Sequence, residues 1–192
     1  MIEVKQIEPS KSNLRKFIDF SINLYKDNNC YVPPLVIDEI ATLNPKTNPA
    51  FDFCEGAYFM ALADGKPAGR IAAIINKQIN ERFDEKIARF GFFDTIDNQE
   101  VADALLRAAE EWARGKGMRK IVGPLGFTDL DREGLLIEGF DELSTMATNY
   151  NYPYYAPLVE NAGYRKDSDW LEFQMTVPDS IPDKINRIAE IV

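Results

Sequence analysis

A mixed α/β fold, with a twisted sheet whose first strands are antiparallel and whose later part is one βαβ unit flanked by helices, is predicted by three features of this 192-residue sequence. Ala57 to Ala63 and Ala68 to Ile75 are apolar, strand-like runs around Asp64-Gly65-Lys66-Pro67, and an Asp-Gly pair supplies the positive φ that tight hairpins use. The period then changes. Val101, Leu105, Ala108 and Trp112 recur at helical spacing, Arg114 and Lys116 complement the dipole in the last turn, and Gly117 stands where a left-handed cap is wanted. Lys86 to Phe93 and Met118 to Val122 are strand-like runs that bracket this helix, so the two strands should be parallel and joined right-handedly.

The remaining elements follow in order. Met1 to Ile7 alternates as a strand does, and Pro9 to Asn13 supplies a helix start of the Ser/Asn kind. Leu14, Phe17, Ile18, Ser21, Leu24 and Tyr25 share one helical face, which Asp27-Asn28-Asn29 ends. Pro33-Pro34 breaks the chain, Leu35 to Leu43 forms a short second helix, and Asn44-Pro45 with Asn48-Pro49 marks an irregular connection up to about Glu55. Asn76 to Glu85 reads as a polar connection. Gly123 to Pro153 is long and irregular, Tyr154 to Ala162 is a short helix ending at Gly163, and Trp170 to Val177 reads as a last strand. Residues 1–177 are thus expected to form one domain. After Pro178 and Pro182, Ile185, Ile188, Ala189 and Val192 open an apolar helical face, so 178–192 is expected to begin a linker or helix leading to a further domain.

Composition removes several function classes. A formal net charge of −9 works against the phosphate attraction on which nucleic-acid binding depends, so nucleic acid is not an expected partner. No long uncharged apolar run is present, which argues against a membrane span or signal peptide and for a cytoplasmic protein. With no histidine, the sequence has no imidazole base and no Ser-His or Cys-His pair. Acid–base work must fall to carboxylates, tyrosines, lysines, cysteines or water. Cys30 and Cys54 sit in no paired motif and read as inert thiols. Asp129 to Gly134 begins like a calcium loop, but Phe140 occupies the twelfth position where a bidentate Glu is required, so no metal is expected.

The order of elements resembles the GNAT superfamily of acyl-CoA N-acyltransferases over nearly the whole chain. Phe92 to Gly117 looks like that family's cofactor-binding strand and helix, and Ala156 to Tyr164 is similar to its later helix ending in Gly-aromatic. Gly123 to Phe127, Glu138 to Asp141 and Tyr150 to Tyr155 further resemble a bacterial subgroup of GNAT-like proteins larger than this chain. The resemblance implies transfer of an acetyl group from acetyl-CoA to a small-molecule or peptide amine. It places the oxyanion and pantetheine contacts at the backbone of Phe92 and Phe93, and the pyrophosphate at Asn98, Gln99, Glu100, Val101 and Ala102.

This loop departs from the family's Arg/Gln-x-x-Gly-x-Gly/Ala pattern, since Asp97 and Glu100 occupy the first two diagnostic positions. At N-cap and N3 spacing they read as a capping box whose carboxylates use the donors a phosphate needs, and repel it. The other reading keeps the backbone donors available. The family's frequent acid, a tyrosine four residues before the Gly of Gly-aromatic, is Val159 here. Tyr155, one turn earlier, is the substitute candidate, and core packing is its alternative role. Tyr150, Tyr152 and Tyr154 are expected to line the acceptor pocket or pack beneath the long loop. Two function classes stay open: an N-acyltransferase, or a GNAT-shaped binding or structural domain without catalysis.

Overall fold

The computed structural model describes residues 1–145, 148–177, 179–181 and 183–189. Five strands form one sheet in the order β1 (Ile2–Ile7), β2 (Cys54–Ala63), β3 (Lys66–Asn76), β4 (Ile87–Thr95) and β5 (Lys120–Val122). The first three pairings are antiparallel and β4–β5 is parallel. Asp64 and Gly65 both have positive φ, making a two-residue turn with Lys66 and Pro67 already in β3.

Period-two alternation sends each central strand's side chains into two cores. Ala57, Phe59, Ala61, Ile71 and Ala73 pack under α4 (Gln99–Gly115) and α5 (Tyr155–Asn161). Tyr58, Met60, Ala72 and Ile74 pack on the other face with Leu14, Phe17 and Ile18 of α1 (Lys11–Leu24) and Leu43 of α2 (Val36–Leu43). Burial on both faces explains why β2 and β3 read as nearly continuous apolar runs.

Four expectations need correction. The connection from Asn76 to Glu85 contains α3 (Lys77–Phe83), because Asn76 Oδ1 accepts from the Ile79 N–H and Asp84 ends the helix in the left-handed region. The run from Met118 to Val122, which as a short strand would be expected to be buried, pairs with β4 only over Lys120–Val122, and these residues are exposed to half-buried. The helix after β4 is capped by Asn98, whose Oδ1 lies 3.2 Å from the Val101 nitrogen; Asp97 is exposed and caps nothing. Trp170 to Val177 is not a strand. It pairs with no described strand, and Trp170, Phe173 and Met175 are 74%, 81% and 85% exposed, because alternation alone forms no strand without a neighbour for its N–H and C=O groups. A last helix, α6 (Asp183–Ala189), carries exposed Ile185 and Ile188; Pro178, Pro182 and Val192 lie outside the described residues.

Candidate functional site

A bulge in β4 creates the site. Arg70 pairs with Asp94 and Ala72 with Gly91, so Phe92 and Phe93 together oppose Ile71 alone. Phe92 has φ 48, a conformation that costs an aromatic residue about 1–3 kcal/mol and persists only where its surroundings impose it. The extra residue reverses the alternation: Phe90 and Phe93 both face the α4 core, while Phe92 packs with the α1 core. Without it, Asp94 would follow Phe90 onto the α4 side. With it, Asp94 lies opposite Arg70.

Those two residues form a buried ion pair, with Arg70 Nε donating to Asp94 Oδ2 at 2.8 Å and exposures of 5% and 7%. Arg70 Nη1 donates to the Phe17 carbonyl at 3.1 Å, and the guanidinium lies 4.9 Å from the Phe17 ring centroid. The Tyr25 and Tyr155 hydroxyls stand 3.0 and 3.2 Å from Asp94 Oδ1 and 2.6 Å from each other, and the Thr95 N–H donates to the Tyr155 oxygen at 3.1 Å. Burial, then the Asp94 charge, raises both phenols well above the usual tyrosine range, so both keep their protons.

Beside this network is a cavity of about 230 Å³, walled by Phe92, Phe93 and Asp94 of β4, Arg70 of β3, Glu39 of α2, and the irregular segment through Asp131 and Arg132. Glycines let that segment lie against the sheet. A Cβ at Gly91 would overlap the Leu125 carbonyl oxygen, and Leu125 N–H donates to Phe90 O at 2.8 Å. Asn151, 2% exposed, fastens the segment's far arm by accepting from Leu136 N–H at 2.7 Å and donating to Leu136 O at 3.0 Å. Glu39 is half-buried; burial raises its carboxyl above the ordinary 4.5, while Arg70 and Arg132 draw it back. Tyr31, also in the wall, has its hydroxyl 3.0 Å from Ser21 Oγ.

The residues singled out in the sequence fall in three places. Phe92, Phe93 and Tyr150 line the cavity. Tyr152 and Tyr154 do not; their hydroxyls donate to Leu24 O at 3.3 Å and Thr95 O at 2.9 Å, and Tyr155 is fully buried behind Asp94. Asn98 to Ala102 open α4 away from the cavity wall, with Val101 and Ala102 in the core and Gln99 tied to Asp103, Leu158 and Asn161. Sequence reasoning passed over Arg70, Asp94 and Glu39. The first two carried a signal, a single Arg within the apolar run Ala68 to Ile75 and an acid directly after Phe92-Phe93.

Residues 23–127 match the model of the acetyltransferase (GNAT) family. The chain is 36% identical over 170 residues to protein YghO of Escherichia coli strain K12, a match covering 88% of this chain and 43% of that protein. It is 31% identical over 177 residues to bacterial ceramide synthase of Caulobacter vibrioides, covering 92% of this chain and 46% of that protein. The chain therefore spans less than half the length of these curated relatives. Among solved structures, an aminoglycoside acetyltransferase from an uncultured soil metagenomic sample, in complex with sisomicin, superposes with a TM-score of 0.55 at 12% identity, covering 92% of this chain and 97% of that one. A predicted acetyltransferase with acetyl-CoA from Clostridium acetobutylicum gives 0.53 at 12% identity, covering 91% and 96%. At such identities these superpositions establish the fold.

Proposed function

The chain belongs to the acetyltransferase (GNAT) family, and from that premise we propose that it is an acyl-CoA-dependent N-acyltransferase whose acceptor is the primary amine of a long-chain amino alcohol. The observation that carries this reading is the cavity itself, which meets the β4 bulge at Phe92 and Phe93 and includes a carboxylate, Glu39 of α2, in its lining. The acceptor class draws on the 31% identity to a ceramide synthase, ceramide being an amide of a long-chain amino alcohol. A polar interior with Ser21, Thr42 and Asn149, and the apolar Pro34, Leu130 and Leu135 in the same lining, suits such an amphiphile.

The start of α4 fits the pyrophosphate of the acyl donor. The N–H groups of Gln99 and Glu100 have no acceptor among the described residues, and the positive dipole end of a 17-residue helix lies there. The exposed carboxylates of Asp97 and Glu100 weaken this attraction while leaving those donors open. A CoA thioester supplies an activated acyl carbon. The chain's own part is to hold that carbon at the Phe92–Phe93 backbone, to fix β4 through Arg70 and Asp94, and to orient Asp94 through Tyr155, which thereby acts as a positioning residue. The alternative, a binding domain without catalysis, draws on Val159 in place of the family's tyrosine and on the two carboxylates at the loop.

Incubating the chain with acetyl-CoA or palmitoyl-CoA and with sphinganine, octylamine or sisomicin, and weighing the products by mass spectrometry, separates these readings. The expected result is the sphinganine amide with release of free CoA. Amide with sisomicin alone would overturn the acceptor class, and no amide from any pair would favour the binding domain.

A further inference from the structure

We propose that the Glu39 carboxylate binds the acceptor's ammonium group in the cavity and takes its proton before attack, an assignment that rests on the acyl-transfer reading above. Three carboxylates line the cavity, and two are committed. Both oxygens of Asp94 are engaged by Arg70 and the two tyrosines. Asp131 Oδ2 accepts from the Thr128 N–H at 2.8 Å and stands 3.3 Å from its hydroxyl. Glu39 alone among the three has neither oxygen in a hydrogen bond or ion pair with any described residue. The Glu39 carboxylate is half-buried in the cavity wall yet open to solvent and without a partner among the described residues, which leaves it available to a ligand cation.

The cavity's charge favours the same occupant. Arg70 is neutralised by Asp94, which leaves Glu39 and Asp131 facing Arg132 as the other charged groups of the lining. The balance is one net negative charge, matched to an ammonium group. Burial raises the Glu39 pKa; Asp94 from β4 and Asp131 from the loop raise it further, and Arg70 from β3 and Arg132 from the loop oppose them. The result is a better proton acceptor than an exposed carboxylate, in a chain with no histidine to serve instead.

One ammonium proton passes to Glu39. The freed nitrogen pair forms the C–N bond to the thioester carbon, the C–S bond breaks with its pair left on sulfur, a second nitrogen proton ends on that sulfur, and Glu39 returns its proton to water. Ammonium and thioester thus become amide, thiol and one released proton.

Glu39→Gln and Glu39→Asp test this with two acceptors, octylamine, which is charged at neutral pH, and trifluoroethylamine, which is mostly neutral. For octylamine, Glu39→Gln should lower kcat/KM by about 100-fold and abolish the acid limb of the pH profile, which Glu39→Asp should partly retain. For trifluoroethylamine the loss should be much smaller. Calorimetry without acyl donor should show weaker octylamine binding to Glu39→Gln. Because the folded-state pKa is raised, the carboxylate costs stability above that pKa and nothing below the unfolded value, so Glu39→Gln should melt no lower than the parent at neutral pH. Equal losses for both amines, or none for either, would overturn the assignment while leaving acyl transfer intact. A parent chain that acylates neither of these amines nor sphinganine would instead remove the acyl-transfer reading, and the assignment with it; if sphinganine alone is acylated, the same Glu39→Gln loss and lost acid limb are expected with it, and their absence would overturn the assignment.

Discussion

Asp94→Asn removes one charge from a pair whose members are 5% and 7% exposed, and leaves the Arg70 guanidinium buried against Phe17 without its ion-pair partner. At such exposure solvent screens little, so the cost belongs to the buried class, about 3–5 kcal/mol, rather than the 0–1 kcal/mol of surface pairs. The amide oxygen keeps an acceptor for the Tyr25 and Tyr155 hydroxyls, while its NH2 faces the Arg70 Nε donor, so the charge and the Arg70 hydrogen bond are removed together. With a urea m-value of about 2 kcal/mol/M, the unfolding midpoint should fall by about 1.5–2.5 M. Equilibrium urea denaturation followed by tryptophan fluorescence and circular dichroism reads it, provided the two probes coincide. Replacing both partners, Arg70→Met with Asp94→Leu, should cost less than either single change, since no buried charge is then orphaned. A midpoint shift below about 0.5 M for Asp94→Asn, equivalent to about 1 kcal/mol, would refute the claim that Asp94 is what makes a buried Arg70 tolerable.

Two further outcomes concern the elements that frame the site. Asn98→Ala should cost about 1 kcal/mol of stability through loss of the α4 cap, whereas Asp97→Ala should stay within about 0.5 kcal/mol, both measured by urea midpoint. Gly91→Ala places a Cβ against the Leu125 carbonyl, so thermal melting should show a loss of about 1–3 kcal/mol or a displaced 123–127 segment.

The parts of this fold that were legible in the sequence are those set by local chemistry. The Asp64-Gly65 turn, the one-sided face of α1 and the Gly117 cap each follow from residues within a few positions of one another, and the structure has all three. The capping residue of α4 was displaced by one position because Asp97, Asn98 and Gln99 are all polar, and only backbone direction decides which side chain turns back onto the helix. Trp170 to Val177 has strand composition, but pairing is a property of the neighbour, and composition does not supply one. The site was less legible. Phe92 and Phe93 came from a family likeness, while the bulge that brings Asp94 to Arg70 is a one-residue register shift between segments 24 residues apart. Glu39 reads in the sequence as one more acid on a short helix, and only the fold brings it into the same cavity lining as Phe92.

The central claim is that an acyl group and an amine meet at the β4 bulge beside Glu39, and a crystal structure with a bisubstrate conjugate of CoA and octylamine tests it most directly. The acyl linkage should lie against the Phe92–Phe93 backbone, the octyl nitrogen within hydrogen-bond reach of Glu39, and the pyrophosphate at the Gln99 and Glu100 N–H groups. A conjugate bound elsewhere on the chain, with the cavity between Arg70 and Glu39 left without it, would contradict the account.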